Sequence, residues 1–319
     1  MKDDKLYILG YASGVAGIDI TCGEGPLAIK KSPFLSKLQN DGDHFVWAKI
    51  IEPAQYVNLH AFDYVYAACH DLASYVSELL RAQKRLIVLG GDHSAALGTW
   101  SGVYDAYHNQ GDIGLIWIDA HMDSHTPDTT ETGRIHGMPL ASLLGHGPSA
   151  LTEILHKEPK LKPENVCLVG IRSFESGEQT LLNELGVRIF YMDEINKRGL
   201  QSVLNEAVKV VTKQTIGFGI SLDLDGLDPA DAPGVDLPEP NGIKGLEVLE
   251  NLRSIVKDPR FLAMEIVEFD PTRDVQHITE QLVVALLAVF IQGKTENAGD
   301  AFNENCATNL IGSPRQKGN

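Results

Sequence analysis

The chain has 319 residues, of which 43% are apolar, so it can bury a large core without disulfide bonds or partner subunits. Its 27 basic and 43 acidic residues give a net charge of −16, which repels phosphate backbones and anionic lipids and makes nucleic acid and membranes unexpected partners. Four cysteines without CxxC spacing, behind an acidic amino terminus, predict a cytoplasmic protein with neither a disulfide framework nor a zinc ribbon.

Short β-branched segments alternate with longer amphipathic ones, which predicts an α/β fold with helices on both faces of a parallel sheet. The predicted strands are Leu6–Leu9, Phe45–Ile50, Leu86–Leu89, Ile113–Ile118, Val166–Val169, Val187–Tyr191, Ile216–Leu222 and Leu262–Val267. Apolar residues recur at intervals of three and four in the predicted helices, which are Asp63–Arg81, Ser94–Tyr107, Gly199–Thr212, Lys244–Val256 and Ile278–Ile291.

The domain organisation follows from the absence of an internal linker. No Pro/Ser-rich segment divides the chain, although its length permits two domains, so we predict a single catalytic domain over residues 1–292. From Gly293 onward the sequence becomes polar and glycine-containing. Residues 293–319 are therefore predicted to be an extension outside the core, either loosely ordered or an arm that reaches another subunit.

Acidic and imidazole side chains directly follow three of the predicted strands. They are Asp92 and His93 after Leu86–Leu89, then Asp119, His121, Asp123 and His125 after Ile113–Ile118, and Asp223 and Asp225 after Ile216–Leu222. Ligands of parallel α/β sheets bind beyond the carboxyl ends of the strands. We therefore expect these side chains to share one cavity.

The spacing and chemistry of these residues predict a metal site. Asp119, His121 and Asp123 are two residues apart, which points their side chains the same way at a strand end. Asp223 and Asp225 repeat the spacing, and so many acids repel one another unless cations lie between them. Carboxylates and imidazoles without thiolates disfavour structural zinc and favour manganese or a related ion. Six protein ligands exceed what one open catalytic ion needs, so we predict two ions.

The combination of segments is more specific than any one of them, since a lone Asp-x-Asp is usually a turn or a helix cap. Together they resemble the signature segments of the arginase–agmatinase (ureohydrolase) family, arginases most closely, in the family's order: Gly23–Pro26, Gly90–Ser94, Asp119–Asp123, His136–Pro139, Ser221–Pro229 and Glu268–Pro271. The resemblance covers nearly the whole chain. It implies a three-layer α-β-α fold around an eight-stranded parallel sheet, and assembly into homotrimers or hexamers.

The same resemblance implies two Mn²⁺ ions per subunit, with Co²⁺ or Ni²⁺ as possible substitutes. The implied ligands are His93, Asp119, Asp123 and Asp223 for one ion, and His121, Asp119, Asp223 and Asp225 for the other. Asp119 and Asp223 would bridge the two. Such a pair of cations lowers the pKa of the water between them and provides hydroxide at neutral pH, which attacks a guanidinium carbon.

Three residues carry catalytic roles by the same resemblance. Glu268 matches the position that holds the planar guanidinium through paired N–H bonds. Asp123 is expected to relay a proton to the leaving amine. His136 is expected to shuttle that proton to or from solvent, a task that suits an imidazole because its ordinary pKa is near neutrality.

The far end of the predicted substrate site departs from the arginase pattern. His125 stands where arginases usually carry asparagine, and it keeps a hydrogen-bond donor for a substrate α-carboxylate. Thr130 and Thr132 lie in the loop that contacts this carboxylate in arginases, and Glu175 replaces a shorter aspartate at the α-amino end. On balance these residues favour L-arginine, which would be split into L-ornithine and urea.

Two alternatives stay open at this stage. The segments Pro233-Gly234 and Pro238–Pro240 resemble agmatinases, so the substrate is alternatively agmatine, guanidinobutyrate or formiminoglutamate. A non-catalytic metal-binding scaffold is the alternative from a different class of protein. The intact set of ligand positions argues against the scaffold, because loss of one carboxylate usually suffices to abolish catalysis.

Overall fold

A computed structural model describes residues 5–40, 44–52 and 59–292. The strands are β1 (Leu6–Tyr11), β2 (Phe45–Ile51), β3 (Arg85–Gly90), β4 (Ile113–Ile118), β5 (Val166–Ile171), β6 (Arg188–Tyr191), β7 (Gly217–Asp223) and β8 (Phe261–Val267). They form one sheet of eight strands, in the order β2-β1-β3-β8-β7-β4-β5-β6, with every neighbouring pair parallel. The predicted parallel sheet is confirmed, whereas the extension at 293–319 lies outside the described residues.

Helices cover both faces of the sheet. They are α1 (Gly25–Lys31), α2 (Pro33–Asn40), α3 (Ala61–Arg81), α4 (Ala95–Tyr107), α5 (Pro139–Leu143), α6 (Ser149–Thr152), α7 (Ser176–Leu185), α8 (Met192–Arg198), α9 (Leu200–Val211), α10 (Gly245–Ile255) and α11 (Ile278–Gln292). Helices α3–α7 contribute to the core on one face, and α1, α2 and α8–α11 to the core on the other. No helix in the described ranges is both long and apolar enough to cross a membrane.

Alternating strand residues build these two cores. Leu86 and Val88 of β3 join the core under α3–α7, while Ile87 and Leu89 join the opposite core. All four side chains are buried, as a parallel strand covered on both faces requires. The three-layer architecture thus follows from strands that are apolar at successive positions.

Six shorter helices escaped the sequence prediction: α1, α2, α5, α6, α7 and α8. Each has at most ten residues, too few to display a clear helical period. One signal was available for α7. Glu175 and Glu178 form a reciprocal capping box at its amino terminus, a pattern readable from their three-residue spacing.

The four central strands carry the predicted chemistry. In the pairing register Ile118 lies beside Leu222, and both Leu222 and Leu89 lie beside Ile266, so β4, β7, β8 and β3 end at nearly the same level. The residues that follow these strands therefore emerge together at one edge of the sheet.

Candidate active site

A first group of ligand atoms surrounds the imidazole of His93. Its Nδ1 atom lies 3.3 Å from Asp119 Oδ2, 3.0 Å from Asp123 Oδ2 and 2.9 Å from Asp223 Oδ2. All four side chains are buried. The four ligand atoms lie within 4.8 Å of one another, which is close enough for them to share one cation.

The hydrogen bonds on the other side of the His93 ring orient it toward these carboxylates. His93 Nε2 lies 2.9 Å from the hydroxyl of Ser221, and that hydroxyl donates to Glu265 Oε1 at 2.7 Å. Because Ser221 donates to Glu265, it accepts from His93, which places the imidazole proton on Nε2. Trp117 stacks on the ring with the centroids 4.2 Å apart and holds its plane.

When the imidazole of His93 is neutral, with its proton on Nε2, the Nδ1 atom directs a lone pair at three carboxylate oxygens. It is buried and makes no hydrogen bond within the described part of the chain. A lone pair that faces carboxylates is unfavourable unless a cation lies between them. The buried Nδ1 atom of His93 therefore indicates that the first group of ligand atoms is suited to a metal ion.

A second group consists of Asp119, His121 and Asp225, again with ligand atoms within 4.8 Å of one another. His121 Nδ1 lies 3.5 Å from Asp119 Oδ1 and 3.0 Å from Asp225 Oδ2. Asp119 thus presents one oxygen to each group. Asp223 belongs to the first group by distance, and its Oδ1 accepts a hydrogen bond from the backbone N–H of Asp225 at 2.8 Å.

The electrostatics of the cluster also favour cations. Burial and the neighbouring carboxylates of Asp225 and Asp119 raise the pKa of Asp223 well above its usual range. Burial lowers the pKa of His93, but contacts to its three aspartates outweigh this and raise the pKa overall. The cluster therefore stabilises positive charge, which divalent ions supply without protonating their ligands.

Glu268 and His136 lie beside the first group. Glu268 Oε1 accepts a hydrogen bond from the backbone N–H of His93 at 2.8 Å, and His136 Nδ1 lies 3.2 Å from the same oxygen. Burial lowers the pKa of His136, but the Glu268 carboxylate outweighs this, and the pKa rises to about 9. The two residues form a hydrogen-bonded pair at the edge of the metal ligands.

Two of these side chains stand on strained backbone. Asp123 has a φ of 47° and Glu268 a φ of 66°, in the left-handed region that residues with a Cβ atom rarely adopt. Such strain persists where the surrounding structure fixes it, and it concentrates at functional sites. No feature of the sequence signals either conformation.

A cavity of about 220 Å³ opens above the ligands. Its lining includes every side chain predicted to act in catalysis or to contact substrate, together with three further predicted metal ligands. The predicted catalytic residues are Asp123, His136 and Glu268. The other substrate-contacting residues are His125, Thr130, Thr132 and Glu175, and the further predicted ligands are His121, Asp223 and Asp225. Residues that the sequence did not indicate line it as well: Ile18, Arg134, Gly137, Glu178, Asp236 and Leu237. The predicted residues are thus gathered at one place, while their individual roles remain predictions.

One wall of the cavity is a cluster of His125, Glu175 and Glu178. His125 Nε2 lies 2.9 Å from Glu175 Oε2 and 3.5 Å from Glu178 Oε2, while its Nδ1 lies 3.2 Å from the hydroxyl of Thr129. Burial and the contact with Glu175 raise the pKa of Glu178 to about 8. The sequence predicts that His125 contacts the α-carboxylate of the substrate. In the structure its imidazole contacts Glu175, the residue that the sequence places at the α-amino end of the substrate.

Arg172 fixes the loop that carries Asp225. Its guanidinium donates to backbone carbonyls on both sides of this loop, at distances of 2.7–3.3 Å: those of Gly170, Asp225, Gly226, Leu227, Glu239 and Pro240. A planar group with five N–H donors suits this task, which a lysine ammonium cannot reproduce.

Fold and site together define a class of protein: a three-layer α/β enzyme whose central parallel strands end in carboxylates and imidazoles that are arranged to hold metal ions. The sequence profile of the Arginase family matches residues 8–292. The chain belongs to the arginase family, and it is therefore a hydrolase that acts on linear amidine C–N bonds.

Known proteins resemble the chain over most of its length. The arginase of Brevibacillus brevis is 39% identical over 282 residues, which cover 85% of this chain and 91% of that protein. The native structure of Bacillus caldovelox arginase superimposes with a TM-score of 0.83 at 33% identity, covering 90% of this chain and 98% of that chain. An Entamoeba histolytica arginase solved with L-ornithine gives 0.82 at 27% identity, covering 91% and 99%.

Proposed function

We propose that the protein is a binuclear manganese enzyme that hydrolyses L-arginine to L-ornithine and urea. The observation that carries the proposal is the position of Asp119, whose two carboxylate oxygens belong to two separate ligand groups beneath one cavity. The donor set of four carboxylates and two imidazoles suits Mn²⁺, with Co²⁺ and Ni²⁺ as substitutes. When bound, two such cations activate water as a nucleophile at neutral pH.

Glu268 is proposed to hold the guanidinium group. Its Oε1 is fixed by the backbone N–H of His93 and by the imidazole of His136, so its carboxylate enters the cavity in one orientation. A fixed carboxylate can accept paired N–H bonds from the planar substrate and keep its carbon in line with the nucleophile.

Asp123 and His136 are proposed to handle protons. Both line the cavity on the side of Glu268, and Asp123 is a buried acid among the metal ligands. Asp123 would pass a proton to the amine that leaves the tetrahedral centre. His136, which is held in place by its contact with Glu268, would exchange protons with solvent through the cavity.

The far end of the cavity favours an α-amino acid. The carboxylate of Glu175 suits an α-ammonium group, while the hydroxyls of Thr130 and Thr132 and the guanidinium of Arg134 suit an α-carboxylate. Agmatine carries no carboxylate and would leave these donors unused. The related arginase solved with L-ornithine supports the same choice.

Substrate profiling tests the proposal. The metal-depleted protein should be reloaded separately with Mn²⁺, Co²⁺, Ni²⁺ and Zn²⁺, and urea release measured with arginine, agmatine and guanidinobutyrate, with formamide or ammonia release for formiminoglutamate. We expect the highest kcat/KM for arginine with Mn²⁺. A higher kcat/KM for any other substrate would overturn the substrate assignment, and inactivity toward all of them would favour the non-catalytic scaffold.

A further inference from the structure

A third group of metal-ligating side chains lies far from the cavity. Asp105, His108 and His156 are half-buried, and each offers a ligand atom within 4.8 Å of the other two. Asp105 belongs to α4 and His108 follows it directly. Because α4 leads into the beginning of β4, this group lies at the amino-terminal edge of the sheet, opposite the active site.

The carboxylate of Asp105 is held in one orientation. Its Oδ2 forms an ion pair with Arg81 at 2.8 Å and also accepts a hydrogen bond from Ser77. Its Oδ1 lies 2.7 Å from His156 Nε2. One oxygen is thus anchored to helix α3, and the other faces the imidazoles.

Each imidazole contacts Asp105 through one ring nitrogen, His156 at the carboxylate and His108 at the backbone. His108 Nδ1 lies 3.0 Å from the backbone carbonyl oxygen of Asp105, an acceptor, so Nδ1 carries the proton and Nε2 has a free lone pair. The rings of His108 and His156 have centroids 4.6 Å apart. An ion that replaced the proton shared by His156 Nε2 and Asp105 Oδ1 would therefore meet two imidazoles and a carboxylate, whose ligand atoms lie within 4.8 Å of one another.

The surrounding residues hold this geometry in place. Tyr104 packs against His108 and His156, with ring centroids 5.5 Å and 5.4 Å away. Lys160 Nζ donates at 2.6–2.8 Å to three backbone carbonyls of the loop that carries His156, including that of His156 itself. Ligands that are fixed before binding lose little conformational entropy when an ion arrives.

We propose that Asp105, His108 and His156 form a second, peripheral metal site that takes Zn²⁺ or Cu²⁺. Two imidazoles and one carboxylate, with water as a fourth ligand, suit these ions better than Mn²⁺, which prefers the carboxylate-rich active site. The bound ion ties α4 to the loop around His156. The adjacent Arg81 weakens binding through like-charge repulsion, so the ion exchanges with solvent.

The test compares the full-length protein with His156→Gln and His108→Gln, and with His70→Gln as the matched control. His70 is a partly exposed histidine of α3 that belongs to none of the metal-ligating groups in the described part of the chain. Each protein is saturated with Mn²⁺, dialysed against Zn²⁺ and analysed for zinc per subunit. We expect the wild type and His70→Gln to hold one more zinc equivalent than His156→Gln or His108→Gln, since any zinc in the active site is common to all four.

A spectroscopic measurement identifies the ligands, and Mn²⁺-dependent activity shows that each variant is folded. With one equivalent of Cu²⁺, the electron paramagnetic resonance spectrum of the wild type should show coupling to two imidazole nitrogens, and that of His108→Gln to one fewer. Mn²⁺-dependent hydrolysis should be unchanged in every folded variant. Equal zinc content in all four proteins, or a Cu²⁺ spectrum that neither substitution alters, would overturn the proposal and leave a hydrogen-bonded His–Asp pair.

Discussion

Ser221 orients His93, a proposed metal ligand, without being a ligand itself. It accepts from His93 Nε2 and donates to Glu265, so it fixes which nitrogen of His93 faces the carboxylates. Ser221→Ala should lower Mn²⁺ affinity about 10–100-fold, as loss of such supporting hydrogen bonds typically does. Activity measured against Mn²⁺ concentration reports this shift.

The control for Ser221→Ala is the same substitution at Ser101. The Ser101 hydroxyl is also buried, but it has no hydrogen-bond partner among the residues that the structure describes. Ser101→Ala should leave the Mn²⁺ dependence unaltered. If both variants bind Mn²⁺ as the wild type does, Ser221 does not position His93 in the way described.

His125 is the residue at which substrate selectivity should be visible. Its imidazole contacts Glu175 and Thr129 at the end of the cavity proposed for the α-carbon substituents. His125→Ala should raise KM for arginine more than KM for agmatine, because agmatine has no carboxylate to lose a contact. Steady-state kinetics of the wild type and the variant give KM for each substrate. Equal increases in KM for arginine and agmatine would contradict a role of His125 in carboxylate recognition.

Sequence spacing identified the carboxylates and imidazoles of the proposed metal site. It identified few of the residues that hold those side chains in position. Asp119, His121 and Asp123 alternate after an apolar strand, a pattern visible in one segment of the chain. Ser221 and Glu265 support His93 only because β7 and β8 lie side by side, which depends on strand order. A single sequence does not encode strand order in any local pattern, so such partners emerge from the structure alone.

At the scale of elements, Arg172 connects the end of β5 to the loop beyond β7. Its guanidinium is bonded to the carbonyls of Asp225, Gly226 and Leu227. Arg172→Met should loosen this loop and displace the Asp225 carboxylate from the second ligand group. We expect manganese content to fall from two ions toward one per subunit, measured by elemental analysis after desalting.

Two companion variants make that result interpretable. Arg172→Lys keeps the charge but has only three N–H donors on one atom, too few to reach all six carbonyls, so it should restore only part of the manganese content. Arg260→Met removes an exposed arginine whose ion pair with Asp258 lies outside the site, and it should retain the wild-type content. Full manganese content in Arg172→Met would show that the loop holds Asp225 without this anchor.

Strands and helices could be predicted from the sequence where they are long or have a clear apolar pattern. All eight strands and the five longest helices appear within about two residues of their predicted bounds, because burial on both faces leaves a continuous apolar signal. The short helices α5 and α6 lack such a signal. They are held by packing between α3, α4 and the sheet, so their conformation depends on tertiary contacts.

At the scale of the whole molecule, the active site joins strands from the middle of the sheet. The first ligand group draws on the end of β7 and on the segments after β3 and β4, which are separated widely in sequence. Ions held there bind the folded chain and not the unfolded one, in which these ligands are dispersed. Metal binding is therefore expected to stabilise the entire fold, and the free energy gained depends on the ion concentration relative to its dissociation constant.

Chelation tests this coupling. At free Mn²⁺ near 1,000 times the dissociation constant, binding adds about 4 kcal/mol to the free energy of unfolding, which corresponds to a rise in Tm of roughly 5–10 °C. Calorimetry of the Mn²⁺-loaded and chelated protein should show this difference, and His156→Gln should show it equally because its change lies at the opposite edge of the sheet. Asp223→Asn removes a carboxylate from the first ligand group and should lose most of the gain. An equal Tm with and without Mn²⁺ would mean that the clustered acids do not hold the ion.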